Sequence, residues 1–178
     1  MSRMFAVGLT LATALLGSAA TPALASQDEV FFDQVVGHWT GPGEIVAGKY
    51  KGTKFVCDFS GQSHPKKVGM ALDGSCRVGL FSQKMRAEVV KSGSSYTGEF
   101  QDGADGSGLD IVSGSVDRNR MVVGLDRKQL KGAMVARLDG HDTMNITVSV
   151  HVAGDLVPVI GMNLKRTDAG VKQSALVE

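Results

Sequence analysis

Two cysteines carry the most definite chemistry in this sequence. Cys57 and Cys76 are the only cysteines of the chain, and each lies in a segment of alternating apolar residues that is typical of a β-strand. No Cys-x-x-Cys motif for redox chemistry is present, and two thiols without histidines at ligand spacing do not make a zinc site. We therefore predict a structural disulfide between Cys57 and Cys76, which requires an oxidising compartment.

The remaining polar residues match no catalytic or metal-binding motif. The sequence lacks a nucleophile elbow, a zinc-protease helix motif and a phosphate-binding loop. The segment from Asp102 to Asp110 groups carboxylates among glycines, but it lacks the alternating ligands and the closing glutamate of an EF-hand. We predict a polar hairpin loop there, with no catalytic residue, metal or cofactor in the protein. A catalytic triad assembled from distant residues stays open, because such sites are recognised by geometry.

The first 25 residues have the layout of an export signal. Arg3 precedes an apolar run from Met4 to Gly17, and small residues follow up to Ala25. The run is shorter than the roughly 20 apolar residues that a membrane-spanning helix needs, and no cysteine follows it to carry a lipid. We predict cleavage between Ala25 and Ser26 and a periplasmic or secreted protein that is not an integral membrane protein.

Composition bounds the domain organisation and the partners. After the leader, we predict one domain over residues 26–166 and a disordered tail over 167–178. The chain has 19 Lys+Arg against 18 Asp+Glu, and loss of Arg3 makes these numbers equal. Overall charge therefore supports recognition of neither nucleic acid nor an anionic membrane surface.

Glycines and alternating apolar residues predict an all-β fold. The chain has 23 glycines, and most of them separate short apolar segments at spacings of roughly 8–15 residues. From Thr143 to Val152 the apolar and polar residues alternate strictly, and His151 falls on the polar face. We also predict a turn at Asp73-Gly74 and a strand from Arg77 to Phe81. Pro158 in the last strand indicates an edge, a strand start or a bulge. The architecture expected is an antiparallel barrel of about eight to ten strands.

One short helix is predicted at the start of this domain. Ser26 and Glu29 have the spacing of a capping box, and the apolar residues Val30-Phe31-Phe32 and Val35-Val36 follow. Such a helix would plug one end of the barrel. The alternative is a frayed segment without defined structure.

The segment Gly37-His38-Trp39-Thr40-Gly41-Pro42-Gly43 resembles the start of calycin barrels, which include lipocalins, fatty-acid-binding proteins and nitrobindin-like proteins. The motif residues are Gly37, Trp39, Gly41 and Gly43. The resemblance implies that the tryptophan packs across a closed barrel end and that the glycines let the strand bend. It also implies a small hydrophobic molecule or lipid as ligand. Nitrobindin-like proteins hold haem through a late-strand histidine, and His151 has a comparable place. Its position on the polar face argues against that role.

Two other functions stay open. The region from Cys57 to Cys76 is similar to exported inhibitors of bacterial metalloproteases, in which case Ser26–Phe32 would enter a protease cleft. A structural envelope protein could instead contact a protein partner through an edge strand containing Pro158. Ligand binding predicts a cavity of a few hundred Å³ lined by Met, Val and Phe. An inhibitor predicts a filled barrel and an exposed leader. We favour the ligand carrier.

Overall fold

The computed structural model describes residues 26–101, 109–127 and 130–167. The predicted leader, the loop over 102–108 and nearly all of the predicted tail lie outside these ranges. One helix and ten strands follow each other in chain order: α1 (Gln27–Val35), β1 (Gly37–Ile45), β2 (Lys54–Ser63), β3 (Gly69–Val78), β4 (Phe81–Ser92), β5 (Ser95–Gln101), β6 (Leu109–Asp117), β7 (Arg120–Arg127), β8 (Leu130–Asp139), β9 (Thr143–Val152) and β10 (Asp155–Arg166).

The ten strands form a closed antiparallel barrel. Each strand pairs with its neighbours in sequence, and β1 pairs with β10 to close the ring, with Trp39 opposite Arg166. The predicted all-β barrel with one short leading helix is confirmed. Strand β10 pairs with β9 on both sides of Pro158, but its register partners on β1 begin only at Ile160. Pro158 therefore lies on a stretch of β10 with one neighbouring strand, as the edge prediction expected, although β10 as a whole closes the ring. The alternative of a bulge is right, since the register shifts between Pro158 and Ile160.

Helix α1 covers one end of the barrel. Its capping box forms as predicted: the Ser26 amide donates to Glu29 Oε2 at 2.8 Å, and the Glu29 amide donates to Ser26 Oγ at 3.3 Å. Phe31, Phe32 and Val35 are buried against the barrel. We call this the closed end, and the opposite end, which carries the β1–β2, β3–β4 and β9–β10 turns, the mouth. The docked helix does not supply the exposed leader that a protease inhibitor would need.

Two local predictions for the β3–β4 hairpin are wrong. Asp73-Gly74 is no turn but lies within β3, where a Cβ on Gly74 would be 2.0 Å from the backbone oxygen of Asp58. This glycine allows close approach of the neighbouring strand β2. The predicted strand from Arg77 to Phe81 instead spans the β3–β4 turn. Gly79 begins that turn with φ +56°, a conformation that glycine adopts without strain.

The predicted disulfide is present. Cys57 on β2 and Cys76 on β3 are direct register partners, and their sulfur atoms are bonded. Cys57 is fully buried, and its Sγ lies 3.9 Å from Met162 Sδ on β10. The bond therefore ties β2 to β3 within the apolar interior.

Replacing both cysteines with alanine should lower the free energy of unfolding by about 3 kcal/mol, because the disulfide restricts the unfolded chain over a loop of roughly 20 residues. For a domain of this size the melting temperature should fall by roughly 6–12 °C. Calorimetry of the oxidised protein, the reduced protein and the Cys57→Ala/Cys76→Ala variant measures this change. A variant that melts within about 2 °C of the oxidised protein contradicts the prediction.

Candidate ligand-binding cavity

The inward-facing side chains of the barrel enclose an apolar cavity. Six methionines line this space, one each from β3, β4, β7, β8, β9 and β10. The full lining is Phe31, Val35, Phe59, Met70, Leu72, Met85, Arg86, Ala87, Val89, Phe100, Ile111, Met121, Met134, Ala136, Met144, Ile146, Val148 and Met162. Apart from Arg86, every residue of this set is apolar.

Arg86 does not bring a charge into the cavity. Its guanidinium bonds Asp73 at 3.0 Å and Glu88 at 3.1 Å, and the three side chains are nearly half exposed. Among the described residues no polar or charged residue is buried. The cavity therefore offers dispersion contacts and excludes charged or strongly hydrogen-bonding ligands, because their polar groups would lose hydration without replacement.

The cavity volume is about 70 Å³. A single buried water needs about 10–15 Å³, so the space has room for no more than a compact molecule. The lining agrees with the predicted Met, Val and Phe, whereas the volume is smaller than predicted. Methionine side chains are unbranched and adapt their rotamers readily, and they surround the space from most sides.

The predicted glycine-tryptophan motif lies at the closed end on β1. Trp39 is fully buried, and its Nε1 donates to the backbone oxygen of Val35 at 2.8 Å. Gly37 has φ +123°, which favours glycine. A Cβ on Gly41 would lie 2.1 Å from the backbone oxygen of Asn163, and one on Gly43 would lie 2.2 Å from the Phe55 ring. These two glycines therefore allow close contact with β10 and with the interior.

Sequence reasoning missed Arg166, which covers Trp39. The guanidinium lies 4.3 Å from the centre of the Trp39 ring and donates to the backbone oxygens of Gln34, Val36 and His141. The last carbonyls of a helix lack partners within the helix, and α1 has no basic residue in its last turn. Arg166 supplies both the donors and the positive charge that a helix C-terminus favours.

A second cluster, formed by Asp28, Lys91 and Tyr96, holds the first turn of α1. Lys91 Nζ donates to Asp28 Oδ2 at 2.5 Å, and the Tyr96 hydroxyl donates to the same oxygen at 2.6 Å. These bonds, with that of Lys91 the larger cause, hold the pKa of the Asp28 carboxyl below its usual value. Burial, followed by the hydrogen bond to Asp28, raises the pKa of the Tyr96 phenol.

The Asp28 cluster makes stability depend on pH. A lowered carboxyl pKa stabilises the fold at pH values above the ordinary value of about 3.9, and this contribution is lost as pH falls through the folded-state pKa. Asp28→Asn should therefore lower the free energy of unfolding by about 1–2 kcal/mol at pH 7. Below about pH 4 the free energies of unfolding of the variant and the wild type should become more similar. Denaturant unfolding at pH 7 and pH 3 measures it. An equal difference at both pH values would show that the carboxylate charge has no part in holding α1.

The histidine whose polar-face position argues against a haem-ligand role lies on the outer surface. The His151 side chain is exposed near the mouth end of β9, in agreement with its place on the polar face. Within residues 26–101, 109–127 and 130–167, no three His, Cys, Asp or Glu side chains gather as metal ligands would. In the same ranges no helix is long and apolar enough to cross a membrane.

Comparison with known proteins identifies the fold but no family. No family model matches the sequence, and no curated protein matches it. The crystal structure of Rv2717c from M. tuberculosis superposes with a TM-score of 0.59 at 15% sequence identity, over 81% of this chain and 99% of that one. A DUF3598-family protein of unknown function from Nostoc punctiforme gives a TM-score of 0.49 at 11% identity, over 76% of this chain and 49% of that one. The likeness to Rv2717c shows a shared barrel fold.

Proposed function

We propose that this protein is an exported calycin-like carrier that binds a compact hydrophobic molecule inside its barrel. The observation that carries the proposal is the methionine-rich cavity of about 70 Å³, whose lining is apolar except for Arg86. Ligand sites are typically enclosed and mostly apolar. A barrel built only for rigidity gains nothing from leaving such a space unfilled, since voids reduce stability.

The cavity chemistry defines the class of ligand. The volume suits a single aromatic ring or a short aliphatic chain, and the adaptable methionines accept somewhat larger apolar groups. Polarisable sulfur atoms around the space favour aromatic ligands, because sulfur makes attractive contacts with aromatic rings. A flat, charged cofactor such as haem does not suit this lining, since its carboxylates would lack partners.

Filling the cavity tests the proposal. Ala136 lines the cavity, whereas Ala133 lies on the same strand with the opposite parity. Benzene and indole should raise the melting temperature of the wild type and of Ala133→Leu, because a ligand that binds only the folded state stabilises it. They should have no effect on Ala136→Leu, whose added side chain occupies the space. Equal stabilisation of both variants, or none of the wild type, overturns cavity binding.

The natural ligand and the compartment can be tested together. Native mass spectrometry of the protein from the periplasm of its own cells should show a chain that starts at Ser26 and carries an apolar molecule of low mass. A chain that keeps Met1 and remains in the cytoplasm overturns the export proposal, while leaving the cavity proposal to the melting experiment above.

A further inference from the structure

The two most exposed apolar side chains of the described residues lie together on one hairpin at the mouth. The two-residue turn Gly79-Leu80 joins β3 to β4, with Val78 paired to Phe81. Leu80 is 100% exposed and Phe81 is 83% exposed. Tyr50, on the neighbouring β1–β2 hairpin, is 62% exposed. Since two large apolar residues at the tip of a turn contribute nothing to the core, they indicate contact with something outside the barrel.

The charges around this tip have one sign. The segments 45–56 and 75–84, which form the mouth ends of strands β1 to β4, contain Lys49, Lys51, Lys54, Arg77 and Lys84 and no acidic residue. All five cations are exposed. We call these cations together with Tyr50, Leu80 and Phe81 the mouth patch. The nearly neutral overall charge conceals it, because acidic residues lie elsewhere on the barrel.

We propose that the mouth patch docks this protein onto an anionic phospholipid surface. Leu80 and Phe81 would enter the boundary between headgroups and acyl chains, Tyr50 would lie at headgroup level, and the five cations would face lipid phosphates. A lipid surface fits because the tip is convex: a bilayer yields around a projecting side chain, whereas a protein partner would need a matching cavity. Segments 45–56 and 75–84 carry only positive charges, and the nearest acidic residues, Glu44, Asp58 and Asp73, lie just beyond them along the strands. This local excess of cations complements the phosphates of an anionic lipid surface.

This docking extends the proposed function without depending on it. A barrel that meets the bilayer through its mouth lies beside a reservoir of apolar molecules. Binding to vesicles nevertheless requires only the mouth patch, and it would persist in the cavity-filled variant Ala136→Leu. Loss of cavity binding and loss of docking are therefore separate results.

Vesicle sedimentation tests the docking. The chain from Ser26 onward is used, since the leader would itself partition into lipid. It should bind vesicles of phosphatidylglycerol and phosphatidylcholine in about 20 mM NaCl, about tenfold more weakly in about 500 mM NaCl, and still less to pure phosphatidylcholine. Leu80→Ser/Phe81→Ser should bind at least about tenfold more weakly than the wild type. The matched control Val30→Ser/Val112→Ser, which alters two exposed apolar residues away from the mouth patch, should bind as the wild type does.

Three outcomes overturn the docking. The first is no binding to the anionic vesicles at low salt, and the second is equal binding by the tip variant and the wild type. The third is a wild-type dimer in sedimentation velocity that Leu80→Ser/Phe81→Ser converts to a monomer, which would assign the tip to a second copy of this chain. Circular dichroism melting of each variant shows that the barrel is intact, as expected for substitutions of exposed residues.

Discussion

Gly41→Ala should prevent the barrel from closing or lower its stability by about 3 kcal/mol or more. The added Cβ would lie 2.1 Å from the backbone oxygen of Asn163 and 2.9 Å from Cα of Leu164, both on β10. A side chain could rotate away from such a contact, but these are backbone atoms of the strand that closes the ring. Relief therefore requires β1 and β10 to separate. The free energy of unfolding in guanidinium chloride, followed by circular dichroism, measures the loss.

Gly161→Ala is the matched control on the other strand of the same pair. A Cβ on Gly161 would meet no atom within 4 Å. This substitution should leave the barrel intact and raise its stability by up to about 1 kcal/mol, because alanine restricts the unfolded chain. If Gly41→Ala were as stable as Gly161→Ala, the close approach of β1 to β10 would not limit which residue position 41 accepts.

Arg166→Met should lower the free energy of unfolding by about 2–4 kcal/mol. This is the second large effect that we expect. The guanidinium donates to the backbone oxygens of Gln34, Val36 and His141 and covers Trp39. Methionine keeps the packing of the stem but leaves those oxygens without their donor. Arg166→Lys should lower the free energy of unfolding nearly as much, since a single ammonium cannot reproduce the planar set of N–H donors of a guanidinium. Because Trp39 is the only tryptophan in the chain, its fluorescence reports the unfolding directly.

A neighbouring cation provides the control for Arg166. Lys165 Nζ bonds Thr143 Oγ1 at 2.6 Å on the outer surface, so Lys165→Met should change stability by less than about 0.5 kcal/mol. A double-mutant cycle that combines Arg166→Met with Trp39→Phe isolates the interaction energy between the guanidinium and the ring. We expect about 1 kcal/mol for this interaction, with unfolding followed by circular dichroism. Equal losses for the two methionine variants would show that Arg166 does not hold the end of α1.

Local sequence patterns correctly predicted the parts of the fold that depend on residues close together in the chain. The Ser26 capping box formed as expected because its two bonds lie within one helical turn. The alternation in β9 placed Met144 and Ile146 inside and His151 outside, since side chains of a strand alternate by geometry. The prediction of a turn at Asp73-Gly74 was wrong because a contact with a residue distant in the sequence determines the structure there. Whether a glycine bends the chain or admits a neighbouring strand depends on a residue far away, in this case Asp58.

The candidate site was less accessible to sequence reasoning. Each methionine of the cavity looks like an ordinary core residue, and only the barrel brings Met70, Met121 and Met162 around one space. Arg166 lies next to Trp39 because of the register between the first and last strands. Two features of the sequence are consistent with this contact between Arg166 and Trp39: a cation at the end of the last strand and the expected closure of a barrel. Neither of them specifies the register.

The pairing of β1 with β10 also determines when this protein can finish folding. Residues such as Trp39 and Arg166 stand at opposite ends of the described chain, yet they are direct partners. Hairpins between consecutive strands can form as soon as their residues are available, but the ring can close only after the last strand has been made. Contacts between distant residues slow folding, because the chain must first lose the entropy of a long loop. Until then both outer strands present unpaired backbone groups, which favour aggregation. The rate of this final step, rather than the stability of the closed barrel, should therefore limit how much of the protein reaches its native state.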